Sequence, residues 1–291
     1  MEWLEISLAV ENETAEAIAG VLSFYVPHGI AIEAGPDGWN AGPVIVRAYL
    51  PADENLPANR RRIEEALWHL GQIRPIPTPT FRTLAEEDWA ETWKEQLSVM
   101  HIGQHLVIRP SWLEYTPAPG DIVIQLDPGM AFGTGLHPTT QMCLVALEEL
   151  VRPGMDVLDL GCGSGILAIA AARLGAGRVL AVDNDPIAVK TAQENAVANG
   201  VQETVRVVHG SLAEAEESYD LVAANILAAV IVKMAQEGLA RRVRPGGILV
   251  ATGILGGQET EVVEALERGG LTLAEQRRVE DWVCLLARRA Q

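Results

Sequence analysis

The sequence predicts an α/β protein in two parts. A seven-stranded Rossmann-like domain spans 126–291, a small α+β domain of ferredoxin-like order spans 1–84, and a linker helix with a connecting segment spans 85–125. Three observations carry this. From about residue 151, short β-branched runs alternate with helical stretches, the pattern of a largely parallel sheet covered on both faces. One of those runs enters a Gly-x-Gly-x-Gly turn that opens directly into a helix. The first ~80 residues read instead as strand, helix, strand, strand, helix, strand, the β-α-β-β-α-β order.

In the first part, Leu4, Ile6, Leu8 and Val10 alternate with Trp3, Glu5, Ser7 and Ala9, the period-two signature of a half-buried strand. Ala15, Ile18, Ala19 and Leu22 then fall on one face of a helix. Gly29–Ala34 and Val44–Leu50 are strand candidates separated by the turn-rich Gly35-Pro36-Asp37-Gly38. Ile63, Ala66, Leu67 and Leu70 mark a second amphipathic helix, and Thr80–Leu84 closes the sheet. Sheets of this order bind RNA when they carry stacking aromatics. These strands have no such cluster, which favours a protein-recognition surface. Glu86–Leu97 reads as a connecting helix with a packing stripe of Trp89, Trp93 and Leu97, and 98–125 is less periodic, broken by Pro110, Pro117 and Pro119.

Composition narrows the class. With 22 Lys+Arg against 39 Asp+Glu, the net charge of −17 repels phosphate backbones and attracts basic proteins, although acidity also serves solubility alone. The three cysteines, Cys143, Cys162 and Cys284, lie far apart in no metal-ligand spacing and fit a reducing compartment. The N-terminus is acidic, with neither a basic region nor a signal-like apolar block. A cytoplasmic protein, monomeric and without membrane contact or metal, is the expectation.

In the second part the strand candidates are Val157–Leu160, Arg178–Val182, Val205–Val208, Leu221–Ala224, Ile248–Thr252, Leu271–Arg277 and Val283–Ala287. The last two lie too close for a crossover helix and predict an antiparallel hairpin. Seven strands ending in that hairpin match the methyltransferase variant of the Rossmann architecture.

The chemistry concentrates at the strand ends. Met155–Leu160 runs into Gly161-Cys162-Gly163-Ser164-Gly165, where glycines let the backbone turn sharply and approach a ligand. Asp183 lies 22 residues after Gly161 at the tip of the next strand, where a carboxylate can accept both hydroxyls of an adenosine ribose; a helix cap is the alternative. The third glycine comes one position earlier than in a dinucleotide fingerprint, and Asp159 opposes an anion while suiting a methionine amino group. A methyltransferase therefore fits better than a nicotinamide dehydrogenase. Ser211, after the third strand, stands where methyltransferases hold the adenine edge. Asn225 ends the fourth strand and faces the reacting centre, or caps the next helix, or both. His137, before Pro138, reads as structural.

Upstream lies Asp127-Pro128-Gly129-Met130-Ala131-Phe132-Gly133-Thr134-Gly135-Leu136-His137-Pro138-Thr139-Thr140. DPGMAFGTGLHPTT, LDLGCGSGILAIAA, VDNDPIAV and LVAANI, in this order, closely resemble the bacterial methyltransferases of large-subunit ribosomal protein eleven, and EEDWAETWKEQL resembles that family's linker. The resemblance covers 86–291 well; before that it rests on domain size and strand order. It implies an S-adenosylmethionine-dependent protein N-methyltransferase with a small N-terminal domain gripping the basic ribosomal protein. The targets are its α-amino group and lysine side chains, without direct nucleic-acid recognition. It puts cofactor contacts at Thr140, Gly161, Asp183 and Asn225, with Gly163 and Ser211 beside them and Phe132, Thr134 and their loop closing over the methionine end. Asn225 is the candidate catalytic residue. Leu136 stands where relatives often carry a polar residue or His. A related methyltransferase on another acceptor, or a cofactor-binding module without catalysis, are the competing readings.

Overall fold

The computed structural model describes residues 2–23, 25–26, 30–33, 43–53, 55–73, 76–85, 98–127, 133 and 135–291. The linker helix expected over 86–97 lies outside them. The chain divides into two units, Met1–Leu97 and Ser98–Gln291.

The first unit holds β1 (Glu2–Val10), α1 (Asn12–Ser23), β2 (Ile30–Glu33), β3 (Val44–Pro51), α2 (Leu56–Ile73) and β4 (Thr80–Ala85). The strands form one sheet of order β2-β3-β1-β4, with every neighbouring pair antiparallel. The alternating residues Leu4, Ile6, Leu8 and Val10 of β1 join Val44, Val46, Ala48 and Leu50 of β3 on one face. Ala15, Ile18 and Leu22 of α1 and Ile63 and Leu67 of α2 complete that core. The other face of β1 is less open than strict alternation predicts, since Trp3 and Glu5 are also buried. Two reasons are visible: β1 is flanked on both sides by strands, and Arg47 neutralises the Glu5 carboxylate at 2.7 Å.

The second unit begins earlier than the expected boundary at 126. Residues 98–126 carry β5 (Met100–Ile102), β6 (Leu106–Pro110) and β7 (Ile122–Leu126), a small sheet with β5 antiparallel and β7 parallel to β6. Its Ile102, Leu106, Ile108, Ile124 and Leu126 are buried in the same core as Leu144, Leu147 and Ile169 further along the chain.

After α3 (Pro138–Leu150) come β8 (Asp156–Leu160), α4 (Ile166–Arg173), β9 (Arg178–Asp183), α5 (Pro186–Ala198), β10 (Val205–His209), β11 (Tyr219–Asn225), α6 (Ala228–Gln236), β12 (Val243–Leu255), α7 (Glu259–Arg268), β13 (Leu271–Val279) and β14 (Trp282–Arg289). All seven expected strands and the terminal hairpin are present, in the order β10-β9-β8-β11-β12-β14-β13. β10 through β12 are parallel, and β14 runs antiparallel to both β12 and β13. Two apolar cores separate on this sheet, one holding Leu144, Leu147 and Ile169, the other Ile231, Val262 and Leu266. The strand order reverses between β8 and β11, which opens a crevice beyond their carboxyl ends. Ion pairs of Asp156 with Arg178 and Arg244, and of Arg244 with Asp220, occupy the opposite ends of the same strands. Among the described residues no helix is long and apolar enough to cross a membrane.

Candidate functional site

At the crevice, β8 turns through Gly161, whose φ of +70° is a left-handed conformation that glycine adopts without strain. A Cβ there would meet Ile226 Cγ2 at 2.3 Å. Gly253, at φ +83°, crowds the same residue from the other side, where a Cβ would meet the Ile226 carbonyl oxygen at 2.3 Å. Gly161, just beyond β8, and Gly253, in β12, belong to the two strands that flank β11, and together they leave room for Ile226 next to Asn225. The loop is held by backbone bonds, with the N–H groups of Gly161 and Cys162 both donating to Val182 O, at 2.8 and 3.1 Å.

Asp183 is built into this loop. Its Oδ2 accepts from Gly163 N at 2.8 Å and its Oδ1 from Asp185 N at 2.9 Å. It does not cap α5: Asp185 does, accepting from Ile187 N at 2.8 Å. Asn225 does not cap α6 either, because the cap position is Leu227 and carries no side-chain cap bond. Asn225 Nδ2 instead donates to the buried Thr140 Oγ1 at 3.1 Å, joining the end of β11 to the first turn of α3. Pro138 fits the first position of that turn, and His137 caps it by accepting from Thr139 N at 3.3 Å. Burial holds the His137 imidazole down at about 4, so it is neutral and structural at pH 7.

These groups surround a cavity of about 220 Å³ lined by Gly133, Thr140, Gly161, Cys162, Gly163, Ile166, Leu167, Asp183, Asn184, Asn225 and Ile226. Five of the eight residues expected at the site, Thr140, Gly161, Gly163, Asp183 and Asn225, line it together. Phe132 and Thr134 lie outside the described residues, as does most of their loop. Ser211 is not among the lining residues; its N–H donates to Glu214 Oε2 at 2.6 Å, as the chain turns into a short 3-10 segment at Leu212–Glu214.

Asp159 also differs from the expectation that it meets an amino group in the cavity. It is 1% exposed behind the loop, outside the lining. Its Oδ2 accepts from Ala168 N at 3.0 Å, pinning the first turn of α4, while Oδ1 has no partner among the described residues. Desolvation pushes its carboxyl up to about 7. All three cysteines are buried free thiols with pKa values raised by burial, which makes them poor nucleophiles.

The apolar lining residues Ile166, Leu167 and Ile226 escaped the sequence reading, because hydrophobic residues beside a glycine turn look like core. Asn184 was legible only as part of a turn, Asn184-Asp185-Pro186.

The geometry converges with relatives. A family model described as ribosomal protein L11 methyltransferase (PrmA) matches residues 2–290. The chain is 46% identical, over 99% of its length and 98% of the relative's, to a ribosomal protein L11 methyltransferase of Chloroflexus aurantiacus. A protein of the same name from Geobacter metallireducens is 44% identical, with 99% of each chain covered. The crystal structure of ribosomal protein L11 methylase from Lactobacillus delbrueckii subsp. bulgaricus superposes with a TM-score of 0.63 at 34% identity, over 67% of this chain and 100% of that one. The match of fold, site and sequence over nearly the whole length shows that this chain belongs to the ribosomal protein L11 methyltransferase (PrmA) family, whose members are S-adenosylmethionine-dependent methyltransferases.

Proposed function

We propose that this chain transfers methyl groups from S-adenosylmethionine to the α-amino group and lysine ε-amino groups of ribosomal protein L11. The observation that carries the reading is the joining of the glycine loop, Asp183 and the Asn225–Thr140 clasp around one cavity. The residues fit the donor. Each Asp183 oxygen has accepted one backbone N–H and keeps a second lone pair, so both can accept ribose hydroxyls. The Gly163 N–H, which a pyrophosphate would need, is already spent on that carboxylate, and this disfavours a dinucleotide. Gly161, Gly163 and Thr140 form the wall beside the donor; Phe132, Thr134 and Ser211 remain contacts proposed from the family motif.

The donor, when bound, supplies a sulfonium methyl group already activated for in-line displacement. The protein's task is to hold a neutral amine about 3–3.5 Å from that carbon. A lysine with pKa near 10.4 is neutral about one time in 2,500 at pH 7, a cost of roughly 4.6 kcal/mol, whereas an α-amino group pays about 1 kcal/mol. Asn225 serves here: with Nδ2 committed to Thr140, its Oδ1 accepts an N–H and aims the amine's lone pair along the cavity. Desolvation by Ile166, Leu167 and Ile226 lowers the amine pKa, so no strong base is required.

Residues 1–84, with two helices on a sheet of order β2-β3-β1-β4, form a ferredoxin-like domain that recognises the ribosomal protein, and 85–97 link it to the catalytic unit. The enzyme is cytoplasmic and monomeric, and contacts neither membrane nor nucleic acid directly; its −17 charge favours a basic protein partner. The test is incubation with labelled donor and purified ribosomal protein L11. Labelled L11 with wild type, and a loss of about 100-fold or more with Asn225→Ala, is expected if Asn225 orients the amine. Unlabelled L11 would overturn the substrate, and an unimpaired Asn225→Ala enzyme would overturn the role of that residue.

A further inference from the structure

One buried polar side chain has no part in the site as described so far. Asn195 lies on α5 at 2% exposure, on the stripe that also buries Ala188, Ala192 and Ala196. Every hydrogen-bonding atom of its amide is engaged away from the helix. Oδ1 accepts from Asp127 N at 3.0 Å, and Nδ2 donates to Asp127 O and to Ser164 O, both at 2.9 Å. One turn on, Asn199 treats Gln125 the same way, accepting from its N at 2.8 Å and donating to its O at 2.6 Å. Two amides on one helix face therefore bond the edge of β7 as a neighbouring strand would.

Ser164 belongs to the glycine loop, and its hydroxyl donates to Gly133 O at 2.7 Å. Asp127 and Gly133 flank residues 128–132 in the chain, and both are thus tied to Ser164, one through Asn195 and the other directly. Gly133 and Gly163, on the two sides of this tie, both line the cavity.

We propose that Asn195 is a positioning residue for methyl-donor binding, locking Asp127 to Ser164, whose hydroxyl in turn holds Gly133 at the cavity wall. The inference rests on the reading that this cavity takes S-adenosylmethionine. An amide is required because only an amide both accepts from Asp127 N and donates to two carbonyls. Aspartate keeps the acceptor and loses both donations.

The experiment compares wild type, Asn195→Asp and Ser164→Ala, using calorimetry with S-adenosylhomocysteine, thermal unfolding, and steady-state kinetics on donor and L11. Loss of two donations predicts about tenfold weaker S-adenosylhomocysteine binding for folded Asn195→Asp, an equal rise in donor KM, and an unchanged KM for L11. Ser164→Ala, which loses one bond, should weaken donor binding about threefold. A lower Tm with donor affinity unchanged in both variants would overturn the proposal and leave Asn195 a packing residue. Should Asn195→Asp fail to fold, unchanged affinity in Ser164→Ala alone would overturn it. Failure of the wild type to bind S-adenosylhomocysteine would instead remove the donor-site reading, and this inference with it.

Discussion

Alanine at Gly161 collides with a specific neighbour, and alanine at Gly200 does not. Gly200, just beyond α5, has φ +66° and no atom within 4 Å of an added Cβ, so Gly200→Ala isolates the left-handed backbone cost. That cost is about 1–2 kcal/mol, partly offset by about 0.4–1 kcal/mol from the stiffer unfolded chain. Gly161 has nearly the same φ, +70°, but its Cβ would sit 2.3 Å from Ile226 Cγ2. Ile226 cannot retreat freely, because Gly253 is packed against its backbone and Ile226 N donates to Thr252 O at 3.1 Å. Overpacking of this kind adds about 1–3 kcal/mol. Urea unfolding should therefore show Gly161→Ala losing about 1–3 kcal/mol more than Gly200→Ala. Calorimetry should show weaker S-adenosylhomocysteine binding only for Gly161→Ala, because Ile226 lines the cavity. Equal stability losses in the two variants, with donor affinity intact in both, would refute the claim that Gly161 seats Ile226.

Two further outcomes are expected. The Asp159 carboxyl is raised to about 7 in the folded protein, above its unfolded value near 3.8, so its contribution to stability is complete below about pH 4 and is lost as pH rises to about 7. Asp159→Asn removes that titration; its stability relative to wild type should improve across the same window by up to roughly 4 kcal/mol, and a pH-independent difference in urea unfolding would sink the assignment. The −17 charge predicts that KM for basic L11 rises when salt goes from about 0.05 to 0.3 M while donor KM holds, since exposed attractions are screened over about 8–10 Å near 0.15 M; a salt-independent KM for L11 would remove electrostatic capture.

The parallel strands were legible because Val157–Leu160 and Leu221–Ala224 are compact apolar runs bounded by turns, and glycine followed by an acid 22 residues on marks a ligand-binding strand end. The sheet at β5–β7 was not. Leu106-Val107-Ile108 is buried on both faces and so has no period-two signal, and the prolines nearby suggest open chain. Asn195 and Asn199 were hidden for a related reason. An asparagine in TAQENAVANG reads as a solvated helix residue until a strand edge 68 or 74 positions away is seen to need its amide. Ser211 was placed by its position after a strand, whereas the donation of its N–H to Glu214 is visible only in three dimensions.

The most direct test is a crystal structure of the chain with S-adenosylhomocysteine. Ribose hydroxyls should lie within hydrogen-bonding distance of both Asp183 oxygens, with the sulfur facing Asn225 beside Thr140. A ligand bound elsewhere, or in this cavity with its ribose away from Asp183, would contradict this placement.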